Sequence, residues 1–176
     1  ALARIAAAAR AARLPMASHD DDTIAVRTQF RDMGASICEF PMAEEVGAAA
    51  RAAGDAVVMG SPNVVRGRSH LGLASAARLA EAGICSVLSS DYYYPCLLQA
   101  AFSLAGRGTL GLPAAWGLIS ANPAAAAKLA DRGAIAPGMR ADLVLVDASG
   151  ALPRPVATIA GGRIAHLDAA GGERLR

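Results

Sequence analysis

The sequence predicts an α/β fold built on a parallel sheet, with a small antiparallel β-unit towards its C-terminal end. Three observations carry this. Short apolar runs alternate with alanine-rich helical stretches four times within the first hundred or so residues. Three of the apolar runs end in polar, ligand-capable stretches, within 17–23, 60–66 and 88–91, and the four strand ends fall at His19, Glu39, Gly60 and Ser90. Beyond residue 110 the alternation gives way to turn-rich segments and a Gly161-Gly162 hairpin signal.

In order, the pattern reads as a helix over 1–12 and a short strand over 14–18 ending at His19. A helix over 24–33 closes at Gly34, where a free φ suits a helix end. The strand 36–40 leads through Pro41 into a helix that closes at Gly54. A third strand, 56–59, is followed by a glycine-bearing loop over 60–72 and a helix over 73–82. The fourth strand, 86–89, precedes a helix over 97–104. The strands are almost continuously apolar, as strands covered on both faces should be. Alternation of this kind implies right-handed parallel crossovers. Four such units make either a small doubly wound sheet or half of an eight-stranded barrel, whose full length is about 250 residues.

After residue 110, Leu112–Ile119 reads as a helix with Pro113 in its first turn. Asn122 is placed to cap the next helix, with Pro123 at its first position, where no amide donor is needed. A strand over 141–147 and a hairpin with strands near 157–160 and 163–166 complete the chain.

The bulk properties exclude several classes. Hydrophobic residues make up 54% of the 176, largely as alanine, yet no apolar stretch approaches the roughly 18 residues of a membrane span. A net charge of +2 with 4% aromatics is a poor basis for binding nucleic acid. Cys38, Cys85 and Cys96 form no CxxC pair and read as buried free thiols of a cytoplasmic protein. The opening Ala/Arg-rich stretch superficially suits a transit peptide, but reads better as an outer helix leading into the first strand.

Several separate motifs then converge on one resemblance. The run Asn122-Pro-Ala, Asp131-Arg-Gly133, Ile135, Gly138 and Arg140-Ala-Asp-Leu-Val-Leu145 resembles the closing segment of the amidohydrolase superfamily. In that superfamily a metal-bearing (β/α)8 barrel returns to a β-sandwich built from both chain ends. His19-Asp-Asp…Thr23, Glu39-Phe-Pro41, Met59-Gly-Ser-Pro-Asn-Val-Val-Arg-Gly67 with Ser69-His70, and Leu88-Ser-Ser-Asp-Tyr92 with Leu97-Leu-Gln-Ala-Ala-Phe102 resemble one branch. That branch is the phosphonate-pathway diphosphatases, which release pyrophosphate from a ribose 1-alkylphosphonate 5-triphosphate. The sequence departs from the branch pattern at Arg68, Leu71, Leu73 and Pro95, all on rim loops.

The resemblance implies that residues 1–130 form the second half of the barrel, strands five to eight. Residues 131–176 would then supply the C-terminal strands of the composite β-sandwich. It implies a divalent metal, zinc or similar, held by His19, Asp20, Asp21 and Asp91. Asp91 would also take the proton of the attacking water. The phosphorylated ribose substrate would meet Asn63, Arg66, Arg68, His70 and Tyr92, since arginine grips phosphate oxygens in bidentate fashion. Glu39 stands where many of these proteins place a second histidine, and its role is open between ligand and buried partner. No GxxxxGK[ST] loop is present.

By this comparison strands one to four are absent. The chain alone is expected to be inactive, and to need an N-terminal half or self-association. Two alternatives remain open: a cyclic-amide hydrolase or deaminase of the same superfamily, and a catalytically silent remnant.

Overall fold

A computed structural model describes residues 1–67 and 75–168. It contains a four-stranded parallel sheet and a three-stranded antiparallel sheet. The parallel sheet has the order β1 (Ala17–His19), β2 (Ile37–Glu39), β3 (Ala56–Gly60), β4 (Val87–Ser89), so β1 and β4 are its edges. Consecutive strands lie side by side, joined through α2 (Ile24–Asp32), α3 (Glu44–Ala52), and α4 (Ser61–Arg66) with α5 (Ala76–Glu81). α1 (Leu2–Ala11) precedes the sheet, and α6 (Cys96–Gly106), α7 (Leu112–Gly117) and α8 (Ala121–Ala126) follow it.

Local chemistry sets the helix ends. The Thr23 hydroxyl accepts from the Val26 amide at 3.2 Å and starts α2. Glu44 and Glu45 lie in the first turn of α3 and Arg51 in its last, matching the helix dipole. Gly34 ends the α2 turn at φ 102°, a conformation that β-carbons oppose.

Side chains alternate across the parallel strands. Ser18, Cys38, Val57, Met59 and Leu88 share one face, and all are buried. Met59 and Leu88 join a core with Leu79, Leu104, Val64 and the small residues Ala76, Ala80, Ala100, Ala101 and Ala115. The alanine-rich composition thus has a structural use: small side chains let α4, α5, α6 and α7 crowd against one another. The opposite face carries His19, Glu39, Gly60 and Ser89 at its rim.

Beneath that rim lies a buried ion network. Arg27 of α2, only 2% exposed, donates to Asp21, to the Ser18 hydroxyl and to the carbonyls of Ala35 and Ile37. Its Nε lies 3.5 Å from Asp55, which also meets Arg31. One guanidinium therefore ties β1, β2 and the approach to β3 to a single helix.

The three cysteines are buried and unbridged. Burial pushes the Cys38 and Cys85 thiols up to about 12, so they stay protonated far above the ordinary range. In the native protein at about pH 8, a thiol-specific disulfide reagent is expected to react slowly, and denaturant to release all three thiols. The unfolded chain loses thiol protons at lower pH than the folded one. Stability is therefore expected to fall as pH rises from about 9 towards 12. Fast native labelling, or an alkaline unfolding curve with no such slope, would contradict this burial.

The second sheet runs β5 (Leu143–Asp147), β6 (Arg154–Ala160), β7 (Arg163–Leu167), with β6 central. Pro155 sits in the central strand beside a register shift between Leu145 and Val146, where a missing amide donor is tolerated. Among the described residues no helix is long and apolar enough to cross a membrane.

Two sequence expectations are corrected. The segment 60–72 is not a loop at its start: Ser61–Arg66 form α4, with Pro62 in the first turn and Gly67 ending it at φ 76°. The glycines that suggest a loop are the helix's boundaries. Asn122 does not cap α8, which begins at Ala121 after Ser120. Its side-chain amide instead donates to the Ser86 carbonyl at 2.8 Å, pinning α8 to the entry of β4.

Candidate active site at the strand ends

Parallel pairing places the chemistry-bearing residues on one rim. His19 pairs with Glu39 across β1–β2, and Gly60 pairs with Ser89 across β3–β4. Strand ends of a parallel sheet, on the carboxyl side, are where such folds assemble sites.

His19 and Glu39 form a direct pair, Nδ1 to Oε2 at 2.9 Å. The Glu39 hydrogen bond raises the His19 pKa; partial burial opposes it, and the Asp20 carboxylate reinforces it. In neutral imidazole, a proton held on Nδ1 leaves the Nε2 lone pair free. That atom lies 3.5 Å from Asp20 Oδ2, and Phe40 meets the imidazole ring edge-on at 5.4 Å. Glu39 is thus the orienting partner of His19, a role the sequence alone left open.

Three non-glycine residues just past strand ends hold left-handed backbones: Asp20 at φ 56°, Phe40 at 52° and Asp91 at 54°. Each such residue costs on the order of 1 kcal/mol, and such strain collects at functional rims. The turn after His19 also explains the divergence of the neighbouring acids. Asp20 is exposed, whereas Asp21 is fully buried with Oδ2 held by Ser18 and Arg27. Asp21, expected as a metal ligand, thus has Oδ2 engaged in the turn that presents His19 and Asp20, while its Oδ1 is buried without a hydrogen-bond partner among the described residues.

Asp91 follows β4 and is exposed, and it does not cap α6, whose first turn begins after Pro95. Arg66, at the end of α4, sits over the Tyr92 ring at 5.7 Å and so reaches the Asp91 corner. Asn63 Oδ1 accepts from the Ala76 amide at 2.9 Å, which ties α4 to α5, so one of its polar atoms serves the scaffold. Arg68 and His70 lie outside the described residues.

Ser89 Oγ, which sequence reasoning missed, is buried with no hydrogen-bond partner among the described residues. The Leu88-Ser-Ser-Asp91 run carries a signal for it: in a strand of period two, Ser89 shares a face with Val87 rather than with the core residue Leu88.

Imidazole nitrogen and carboxylate oxygen are suitable donors for a divalent cation. Among the described residues, however, no group of three or more His, Cys, Asp or Glu converges closely enough to hold one. A groove of about 1080 Å³ lies elsewhere, between α6–α7 and the β5–β6 strands, and is lined by Leu97, Trp116, Ile135, Leu143 and Ile159. None of the rim residues His19, Asp20, Glu39 or Asp91 lines it.

No family model matches the chain. Over 143 residues it is 48% identical to the α-D-ribose 1-methylphosphonate 5-triphosphate diphosphatase of Escherichia coli (strain K12), covering 80% of this chain and 38% of that protein. Among solved structures, the A. niger ochratoxinase superposes with a TM-score of 0.67 at 16% identity, over 96% of this chain and 46% of the other. The β-aspartyl dipeptidase of Fervidobacterium islandicum AW-1 gives 0.63 at 17%, over 82% of this chain and 45% of the other. An enamidase described as a member of the amidohydrolase superfamily gives 0.62 at 15%, over 93% of this chain and 50% of the other. The chain thus spans half or less of the length of each of these proteins. In sequence the chain is a relative of the ribose methylphosphonate triphosphate diphosphatase, and in fold it resembles the amidohydrolase superfamily.

Proposed function

We propose that residues 1–130 supply strands five to eight of a metal-dependent (β/α)8 hydrolase barrel and residues 131–176 the C-terminal strands of its β-sandwich. The intact protein would release pyrophosphate from a ribose 1-alkylphosphonate 5-triphosphate. One observation carries the reading. A His19–Glu39 pair and Asp91 stand on one rim of parallel strands, in a chain 48% identical over 143 residues to such a diphosphatase.

In this reading His19 Nε2, Asp20 and Asp91 are the chain's contribution to a divalent-cation site, completed by residues of other strands. A cation held there would lower the pKa of water towards neutrality. Asp91 then accepts the proton of the attacking water as its oxygen bonds the α-phosphorus. The bond from that phosphorus to the bridging oxygen breaks, and pyrophosphate leaves with the electron pair. Arg66, carried to the corner by Tyr92, neutralises phosphate oxygens in the expanding transition state. Asp21 acts from beneath, through the Arg27 network, by fixing the turn that follows His19.

Among the described residues β1 pairs only with β2 and β4 only with β3, so no further strand covers the outer side of either, although the Leu88 amide of β4 donates to the Leu118 carbonyl. A parallel sheet with such edges invites completion. Further strands, from a longer polypeptide or a second copy, would close the barrel. The 176-residue chain alone is expected to bind divalent metal weakly and to give no useful turnover. Robust activity of the purified monomeric chain would contradict this.

The rival within the superfamily, hydrolysis of a cyclic amide, uses the same base and cation. Arg66 over the ring of Tyr92, the residue after Asp91, favours an anionic substrate. The discriminating experiment is a substrate panel on the longest natural product of the gene. Turnover of the ribose triphosphate with release of pyrophosphate is expected, and turnover of hydantoin or dihydroorotate analogues alone would reject the reading.

A further inference from the structure

Gly60 closes β3, and its backbone does not require a glycine. At φ −77° and ψ 130° it is ordinary extended chain, open to any L residue. The requirement lies in the space beside it. A β-carbon built on Gly60 would stand 2.8 Å from Oδ2 of Asp91 and 3.5 Å from its Cβ and Cγ. The first of these contacts is closer than packed atoms tolerate, and its three nearest atoms all belong to that one side chain.

We infer that Gly60 is a positioning residue for Asp91: its missing side chain is the recess in which the Asp91 carboxylate rests. The inference deepens the reading of Asp91 as the base, and rests on that reading for its catalytic consequence. Three features fit together at this corner. Gly60 and Ser89 are register partners, so the end of β3 lies directly beside the strand that delivers Asp91. Asp91 leaves β4 with φ 54°, a left-handed turn that costs energy for any residue with a β-carbon. That turn brings the carboxylate back over the end of β3 rather than out along β4. Ser89 Oγ, buried and unpartnered among the described residues, lies at the same corner.

The left-handed turn and the recess are therefore one device. The turn spends backbone strain to aim the carboxylate across the strand ends, and the glycine leaves the volume it is aimed into. With alanine at residue 60 the carboxylate must rotate, because it is the movable partner; the β3 and β4 backbones are held by their pairing. The consequence falls on the proton acceptor's position, to which a base is sensitive on a scale of about 1 Å.

The test is Gly60→Ala in the intact protein, with Asp91→Ala and the double variant beside it. A crystal structure of Gly60→Ala is expected to show the Asp91 carboxylate rotated off residue 60 with the β3–β4 pairing retained. Pyrophosphate release is expected to lose about tenfold or more in kcat with KM changed less than about twofold. Gly60→Ala added to Asp91→Ala is expected to cost nothing further in kcat or in folding, since the contact has already been removed. An unmoved carboxylate over a displaced β3 would overturn the inference. So would a double variant that misfolds where Asp91→Ala folds. Should Asp91→Ala alone leave turnover intact, the base assignment fails, while the rotation seen in the Gly60→Ala crystal structure judges the recess on its own.

Discussion

Asp91→Asn is expected to lower pyrophosphate release by the intact protein by about a thousandfold while leaving its fold unchanged. Asparagine keeps the shape that fits beside Gly60, so the variant removes the proton acceptor without disturbing the corner. Asp91 is exposed and outside the core, so circular dichroism and the thermal midpoint should match those of the parent. Loss of activity with loss of structure would assign Asp91 to the scaffold instead. Unchanged activity would remove it from the chemistry altogether.

Arg27→Met is expected to have the largest effect on stability. Asp21 is 0% and Asp55 4% exposed; Asp21 would lose its cation inside the fold, and Asp55 would be left with Arg31 alone. Breaking a buried pair from one side typically costs about 3–5 kcal/mol, since the remaining charge stays uncompensated. The urea midpoint should fall accordingly, or the variant should fail to accumulate as folded protein. Arg78→Met is the control. It removes an ion pair with Glu44 whose side chains are 69% and 40% exposed, and it should shift stability by less than about 1 kcal/mol. Equal effects from the two substitutions would contradict the buried network. Because the Arg27 cluster underlies the turn that presents His19, partial loss of folding should first appear as loss of the rim.

The strand ends were legible because strands of a parallel sheet are apolar throughout and stop abruptly at polar residues; His19, Glu39 and Asp91 announce themselves by that contrast. The helix Ser61–Arg66 was hidden by its own punctuation, since Gly60 and Gly67 signal a loop unless the intervening Ser-Pro is read as a helix start. Asp20 and Asp21 are indistinguishable as letters. Only the left-handed turn at Asp20 sends one to solvent and the other under the sheet. Arg27 lies on a helix that also carries Arg31 and Asp32, and nothing in its neighbours reveals that its partners are Asp21 and Asp55. Glu39 was seen but not assigned, because its partner stands 20 residues earlier and meets it only through strand register. Gly60 was legible as a strand end within the 59–67 motif, but its meaning depends on a side chain just past the end of the next strand.

The most direct measurement follows the oxygen. The intact protein is incubated with ribose 1-methylphosphonate 5-triphosphate and a divalent cation in ¹⁸O-water, and the products are resolved by ³¹P NMR. Water attacking the α-phosphorus with Asp91 as base places the label on the ribose 5-phosphate group and none on pyrophosphate, and the Asp91→Asn protein forms neither product at a comparable rate. Label in the pyrophosphate, or undiminished release by Asp91→Asn, would contradict the assignment of this rim as the hydrolytic site.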